Sequence, residues 1–88
     1  MNDLDTSRKK IDEVDARLVE LLAERFSLVE EVKSIKQSSN HAFRDEDRWQ
    51  EIIVRLDELA EKNGLEPKGV QAVFEQIHNY ALNYIYEV

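Results

Sequence analysis

Apolar side chains along the first third of the chain recur at Ile11, Val14, Leu18, Leu21, Leu28, Val32 and Ile35. These alternating steps of three and four are the spacing of a seam on one long helix. One seam position holds a cation instead, Arg25. The pattern predicts a helix over residues 6–37, with Asp3 and Asp5 just ahead of it, where an oxygen cap and negative charge suit the free amides. A break is predicted at Ser38-Ser39-Asn40. A second amphipathic stretch, 44–62, carries Trp49, Ile52, Ile53, Leu56, Leu59 and Ala60 on one side. It stops at Asn63-Gly64, a left-handed C-cap signal. The third, 67–86, opens on Pro67, which suits a first helical turn. Its apolar side carries Val70, Val73, Phe74, Ile77, Ala81, Leu82, Tyr84 and Ile85. No segment alternates with period two, so the expected fold is all-α, a three-helix chain with a long first helix.

Size makes that first helix informative. About 32 residues at about 1.5 Å each span roughly 48 Å, whereas a globule of 88 residues has a radius of gyration near 12 Å. One copy of the chain cannot bury the seam. The chain is expected to form one domain, residues 1–88, whose core is marginal alone and better supported by oligomerisation. With no cysteine, neither disulfides nor thiolate zinc sites can add stability.

Composition narrows the partners. A hydrophobic content of 42% with 35% charged residues fits a folded, charge-coated protein. The net charge of −7 argues against nucleic-acid or anionic-membrane surfaces, which would need a basic face. His41 and His78 are too few and too far apart to suggest a metal site. The acidic start Met1-Asn2-Asp3-Leu4-Asp5 is unlike a signal peptide, and no apolar run is long enough to span a bilayer. A cytoplasmic location is expected.

Cations on apolar faces carry the candidate chemistry. Lys36 follows Arg25 by eleven residues, about three turns and some 20° of rotation, so both project from nearly one face with Val32 between them. Arg8, seventeen residues before Arg25, is turned about 100° away, toward a different neighbour. Asp45, Arg48, Trp49 and Ile52 form one stripe of the second helix. Lys9, Lys10, Arg17, Lys33, Arg55 and Lys62 fall off the seams among carboxylates and are expected to be solvated. A guanidinium in a seam costs desolvation energy and needs a partner. Two readings remain open from the residues alone. Arg25 either fixes register by pairing with a buried glutamate, or converges with Lys36 and Arg48 on a small polyanion, with Arg8 added by another chain.

These residues resemble a known family. Arg8-Lys9-Lys10-Ile11-Asp12-Glu13-Val14-Asp15, followed by Leu18, Leu21-Leu22, Glu24-Arg25, Val32 and Lys36, is similar to the first helix of the all-helical (AroQ-class) chorismate mutases. Arg44-Asp45-Glu46-Asp47-Arg48 resembles the arginine-aspartate signature opening their second helix, and Gly64-Leu65 with Phe74-Glu75-Gln76-Ile77 the start of their third. The resemblance implies an intertwined homodimeric helical bundle with two sites. It also implies conversion of chorismate to prephenate in the shikimate pathway, toward phenylalanine and tyrosine. On this resemblance Arg25, and Arg8 supplied in trans, would hold the two carboxylates of a small dicarboxylate substrate. Lys36 would bind a carboxylate and donate to the enol-ether oxygen, and Arg48 would lie against the substrate. Asp45 would act through its backbone amide near the ring hydroxyl, with Val32, Trp49, His78, Ala81, Leu82 and Ile85 completing the substrate pocket. No cofactor, metal, nucleophile or general base is implied, because the reaction is a pericyclic rearrangement.

Four positions depart from the family pattern. Trp49 stands where a glutamate usually accepts the ring hydroxyl, Ile85 where a glutamine or glutamate assists Lys36, Ala81 where a serine sits near a carboxylate, and His78 where the wall is apolar. The pattern therefore leaves other readings open. One is a related enzyme on a modified substrate, such as a 4-amino-4-deoxychorismate mutase or an isochorismate-pyruvate lyase. Another is a non-catalytic dimer that binds an anionic metabolite or a partner enzyme, and the last is a purely structural helical dimer.

Overall fold

The computed structural model describes residues 3–39 and 46–86, the side chains of residues 36–39 excepted. Helix α1 runs Asp3–Ser39, α2 Glu46–Lys62 and α3 Pro67–Ala81, after which the chain continues as a π-helical segment, Leu82–Tyr86. Among the described residues there is no strand. Asp3 and Asp5 fall inside the first turn of α1 rather than ahead of it, where their charge still meets the positive end of the helix dipole. The predicted break does not interrupt α1 at Ser38 or Ser39, because serine is only mildly unfavourable within a helix. Asn40, His41 and the predicted start of the second helix at residue 44 lie outside the described residues.

A tight cap joins α2 to α3. Gly64 takes a positive φ of 71°. The Leu65 amide then donates to the Ala60 carbonyl at 2.8 Å and the Gly64 amide to that of Glu61 at 3.2 Å, the paired bonds of a Schellman motif. The Asn63 side chain adds a bond to the Leu59 carbonyl at 2.8 Å. Pro67 then starts α3. Trp49, Ile52 and Leu56 are buried between the two helices, with Ile53, Val70 and Phe74 packed against them. Gln71 Nε2 donates to Asp57 Oδ1 at 2.6 Å across the same junction.

α1 meets this hairpin along a stripe that the seam does not contain. Leu22, Phe26, Val29 and Lys33 are half-buried, spaced i, i+4, i+7, i+11 as one helical face requires. Phe26 stacks on Tyr80 with centroids 4.3 Å apart. Lys33 Nζ donates to the Ile85 carbonyl at 2.7 Å. The seam itself faces outward: Ile11, Val14, Leu18, Leu21, Leu28, Val32 and Ile35 are 43–66% exposed. Val73 and Tyr84, expected on the apolar side of the third helix, are exposed as well. The chain measures 58 × 26 × 16 Å, and its radius of gyration is 16.3 Å, well above the roughly 12 Å of a compact chain this long.

Candidate active site

Where the three helices meet, an open cleft of about 260 Å³ is lined by residues from each of them. α1 contributes Arg25, Leu28, Val29 and Val32; α2 contributes Arg48, Trp49, Ile52 and Arg55. His78 and Ala81 come from α3, and Tyr86 from the π-helical segment. The α2 set follows i, i+1, i+4, i+7, one face of a helix two turns long. Its apolar members sit in the core, Trp49 at 8% and Ile52 at 6% exposed, which fixes the direction in which the flanking arginines project.

Arg25 carries the electrostatics. Burial, then Arg48, then Arg55 hold its pKa below the ordinary arginine value. Each cause penalises the charged form. The guanidinium lies 5.9 Å from the Phe74 ring centroid, and among the described residues no carboxylate is paired with it. Arg48 donates to Glu51 at 3.3 Å on the exposed flank of α2, a pairing of small energy in water. The result is a concentrated positive charge with apolar walls in a chain of net charge −7. An anion entering this cleft would relieve the repulsion that Arg48 and Arg55 exert on Arg25.

The aromatic side of the cleft is ordered. Trp49 and His78 stack with centroids 4.8 Å apart and planes 29° from parallel. The Tyr86 phenol has its pKa raised, first by burial and then by Glu30, so it stays protonated and able to donate at neutral pH.

Six of the sequence-predicted positions thus share one cleft: Arg25, Val32, Arg48, Trp49, His78 and Ala81. Leu82 and Ile85 do not line it. Ile85 is buried at 5% exposure, because the switch from α to π winding after Ala81 alters which residues follow it onto the cleft face. Arg8 is exposed on α1, seventeen residues from Arg25, about 25 Å along the axis. It does not reach the cleft of its own chain. Lys36 belongs to α1, but its side chain, like the whole of Asp45, lies outside the described set. One cation expected in solvent is placed otherwise, Lys33, half-buried against Ile85; Arg55 is exposed as expected and also lines the open cleft. Extending the stripe of Arg48 and Ile52 by one more turn reaches Arg55, so that signal was in the spacing. Tyr86 had no such signal, since a change of helical period is not written in an apolar pattern.

Fold and site together define an all-helical protein with an arginine-lined cleft. Comparison with known sequences gives that class a family: residues 7–86 match the model of chorismate mutase type II, and the chain belongs to this family. A chorismate mutase of Methanocaldococcus jannaschii is 34% identical over 77 residues, covering 85% of this chain and 78% of the relative. The bifunctional chorismate mutase/prephenate dehydratase of Escherichia coli is 36% identical over 76 residues, 86% of this chain but 20% of the relative. That of Buchnera aphidicola from Schizaphis graminum is 33% identical over a similar span, again 20% of the relative's length. The chain thus spans about a fifth of the bifunctional proteins. No helix among the described residues is long and apolar enough to cross a membrane.

Proposed function

We propose that this chain is a chorismate mutase that rearranges chorismate to prephenate as a homodimer, with Arg8 supplied in trans to each cleft. The observation that carries this reading is the convergence of Arg25, Arg48 and Arg55 on one apolar-walled cleft in an acidic chain. The exposed seam of α1 supports a second copy as its cover, and the distance of Arg8 from Arg25 along one helix requires its contribution to come from elsewhere.

Catalysis needs no nucleophile here. The substrate's ether C–O bond breaks while a new C–C bond forms, so the protein's task is geometric and electrostatic. Arg25, Arg48 and Arg8 clamp the carboxylates in the compact conformer that reacts. Lys36, about three turns beyond Arg25 on nearly the same face of the helix, donates toward the ether oxygen as it gains charge, an interaction strongest in the transition state.

One feature favours a second reading. Trp49 follows Arg48 directly, is buried, and stacks on His78, so the ring-substituent end of the cleft is aromatic. That suits a relative acting on 4-amino-4-deoxychorismate or isochorismate. Incubation with each compound, followed by chromatographic identification of products, separates the readings. Prephenate supports the mutase, salicylate with pyruvate the lyase, and heat stabilisation by chorismate without turnover a binding protein. Within the mutase reading, Arg25→Ala and Lys36→Ala abolish turnover while Lys62→Ala leaves it intact; equal activity in all three rejects the site.

A further inference from the structure

The wall that α3 gives to the cleft changes helical period beside the cations. Through Ala81 the backbone is α-helical, and from Leu82 to Tyr86 it is π-helical. Bonds that close i→i+5 bring a residue five positions on close to the starting face. Ala81 and Tyr86 are five apart, and both line the cleft. In a continued α-helix Tyr86 would stand about 140° round from Ala81, facing elsewhere. The altered register is held from α1, where Lys33 Nζ donates to the Ile85 carbonyl at 2.7 Å. That carbonyl belongs to the last helical turn, whose acceptors need partners from outside the helix.

We infer that Tyr86 is a catalytic hydrogen-bond donor of this site, its hydroxyl supplying the neutral polar contact to the bound dianion that Ala81 and Ile85 have no atoms to make. Lys33 is the positioning residue that keeps the π-helical register. The inference rests on the mutase reading for the atom addressed: the oxygen of the breaking ether bond, where charge accumulates. The rearrangement is one cyclic shift of electrons in which the C–O bond opens and the C–C bond closes. The phenol keeps its proton throughout, and nothing enters or leaves.

The test is a double-mutant cycle on the full chain with Tyr86→Phe, which keeps the ring, and Lys33→Met, which keeps the stem. Tyr86→Phe is expected to lower kcat for chorismate about 10²-fold with KM within about twofold and an unchanged melting temperature. Lys33→Met lowers kcat in the wild-type background and costs nothing further beside Tyr86→Phe. Unchanged kcat in Tyr86→Phe, or additive losses in the cycle, overturns the inference while leaving the mutase reading intact. If the wild-type chain turns over no chorismate, that reading falls, and the inference is read from chorismate binding through the fluorescence of Trp49, the single tryptophan. Binding at least tenfold weaker in Tyr86→Phe then upholds Tyr86 as a ligand donor; equal binding, or none in either protein, overturns it.

Discussion

The guanidinium of Arg25 rests 5.9 Å from the centroid of the Phe74 ring, so a cation of α1 sits against an aromatic that also packs on the α2–α3 core. A ring face compensates a desolvated cation only in part, by about 0.5–1 kcal/mol at a partly exposed site. Arg25 therefore remains a cost in the free protein, raised further by Arg48 and Arg55. Replacing it with methionine is expected to abolish turnover yet to stabilise the ligand-free protein, by no more than about 1 kcal/mol because the group is only half-buried. Thermal denaturation beside a chorismate assay checks both halves, and a large loss of stability would show that Arg25 holds the fold instead of a ligand.

Arg55 leads to a prediction of different form. It lines the cleft and depresses the pKa of Arg25. A charge so placed attracts a dianion without addressing any one bond. Arg55→Gln should raise KM about tenfold with a smaller change in kcat, the signature of uniform binding. The salt dependence of kcat/KM should weaken along with it. Kinetics at two ionic strengths decide this; an unaltered KM and salt slope would leave Arg55 as a bystander.

How much of this was readable beforehand differs from one element to the next. Ile11, Val14 and Leu18 announced a helix too long for one globule, and the exposure of that seam follows from length alone. Asn63-Gly64 announced the end of α2 because a left-handed cap has few chemical solutions. Arg25 and Arg48 stood out as cations among apolar neighbours. Arg55 was readable only by carrying the stripe of Arg48 and Ile52 one turn further, and its role depends on what α1 brings opposite it. Ile85 and Tyr86 were beyond reach: the switch to π winding after Ala81 exchanges which of them meets the cleft, and the bond to Ile85 comes from Lys33, distant in sequence.

The seam gives a prediction about assembly. Leu18 is 52% exposed in the single chain, and a proposed second copy would cover it. Leu18→Glu should cost an isolated chain little but convert a dimer to monomers, with loss of turnover because Arg8 no longer arrives in trans. Sedimentation across a concentration series reads the mass. A wild-type chain that stays monomeric and active at every concentration would remove the second copy from the mechanism.

Gly64 tests the backbone without touching the cleft. Its φ is 71°, and no atom lies within 4 Å of where a Cβ would stand, so a substitution there meets strain but no clash. Gly64→Ala should lower stability by about 1 kcal/mol, the cost of the left-handed conformation for a residue bearing a Cβ. Kinetics should be unchanged. Chemical denaturation of the two proteins measures the difference, and a change in KM would mean that the cap also sets the position of the cleft wall.

Tyr86 makes stability depend on alkaline pH in a definite direction. Its phenol is pushed above the ordinary value of 10.0 by burial and by Glu30, so between the unfolded and folded values the native state holds a proton that the unfolded chain has lost. Stability then falls as pH rises. The contribution is complete below about 10 and disappears as pH passes through the folded value. Wild-type stability should therefore decline relative to Tyr86→Phe only above pH about 10, at less than about 1.4 kcal/mol per pH unit, since partial exposure screens the effect. Tyr80 and Tyr84 titrate in both proteins and cancel in the comparison. Denaturant midpoints across that range provide the measurement. Parallel curves would mean that the phenol is as solvated as in the unfolded chain, and the cleft would lose the wall that the π-helical segment gives it.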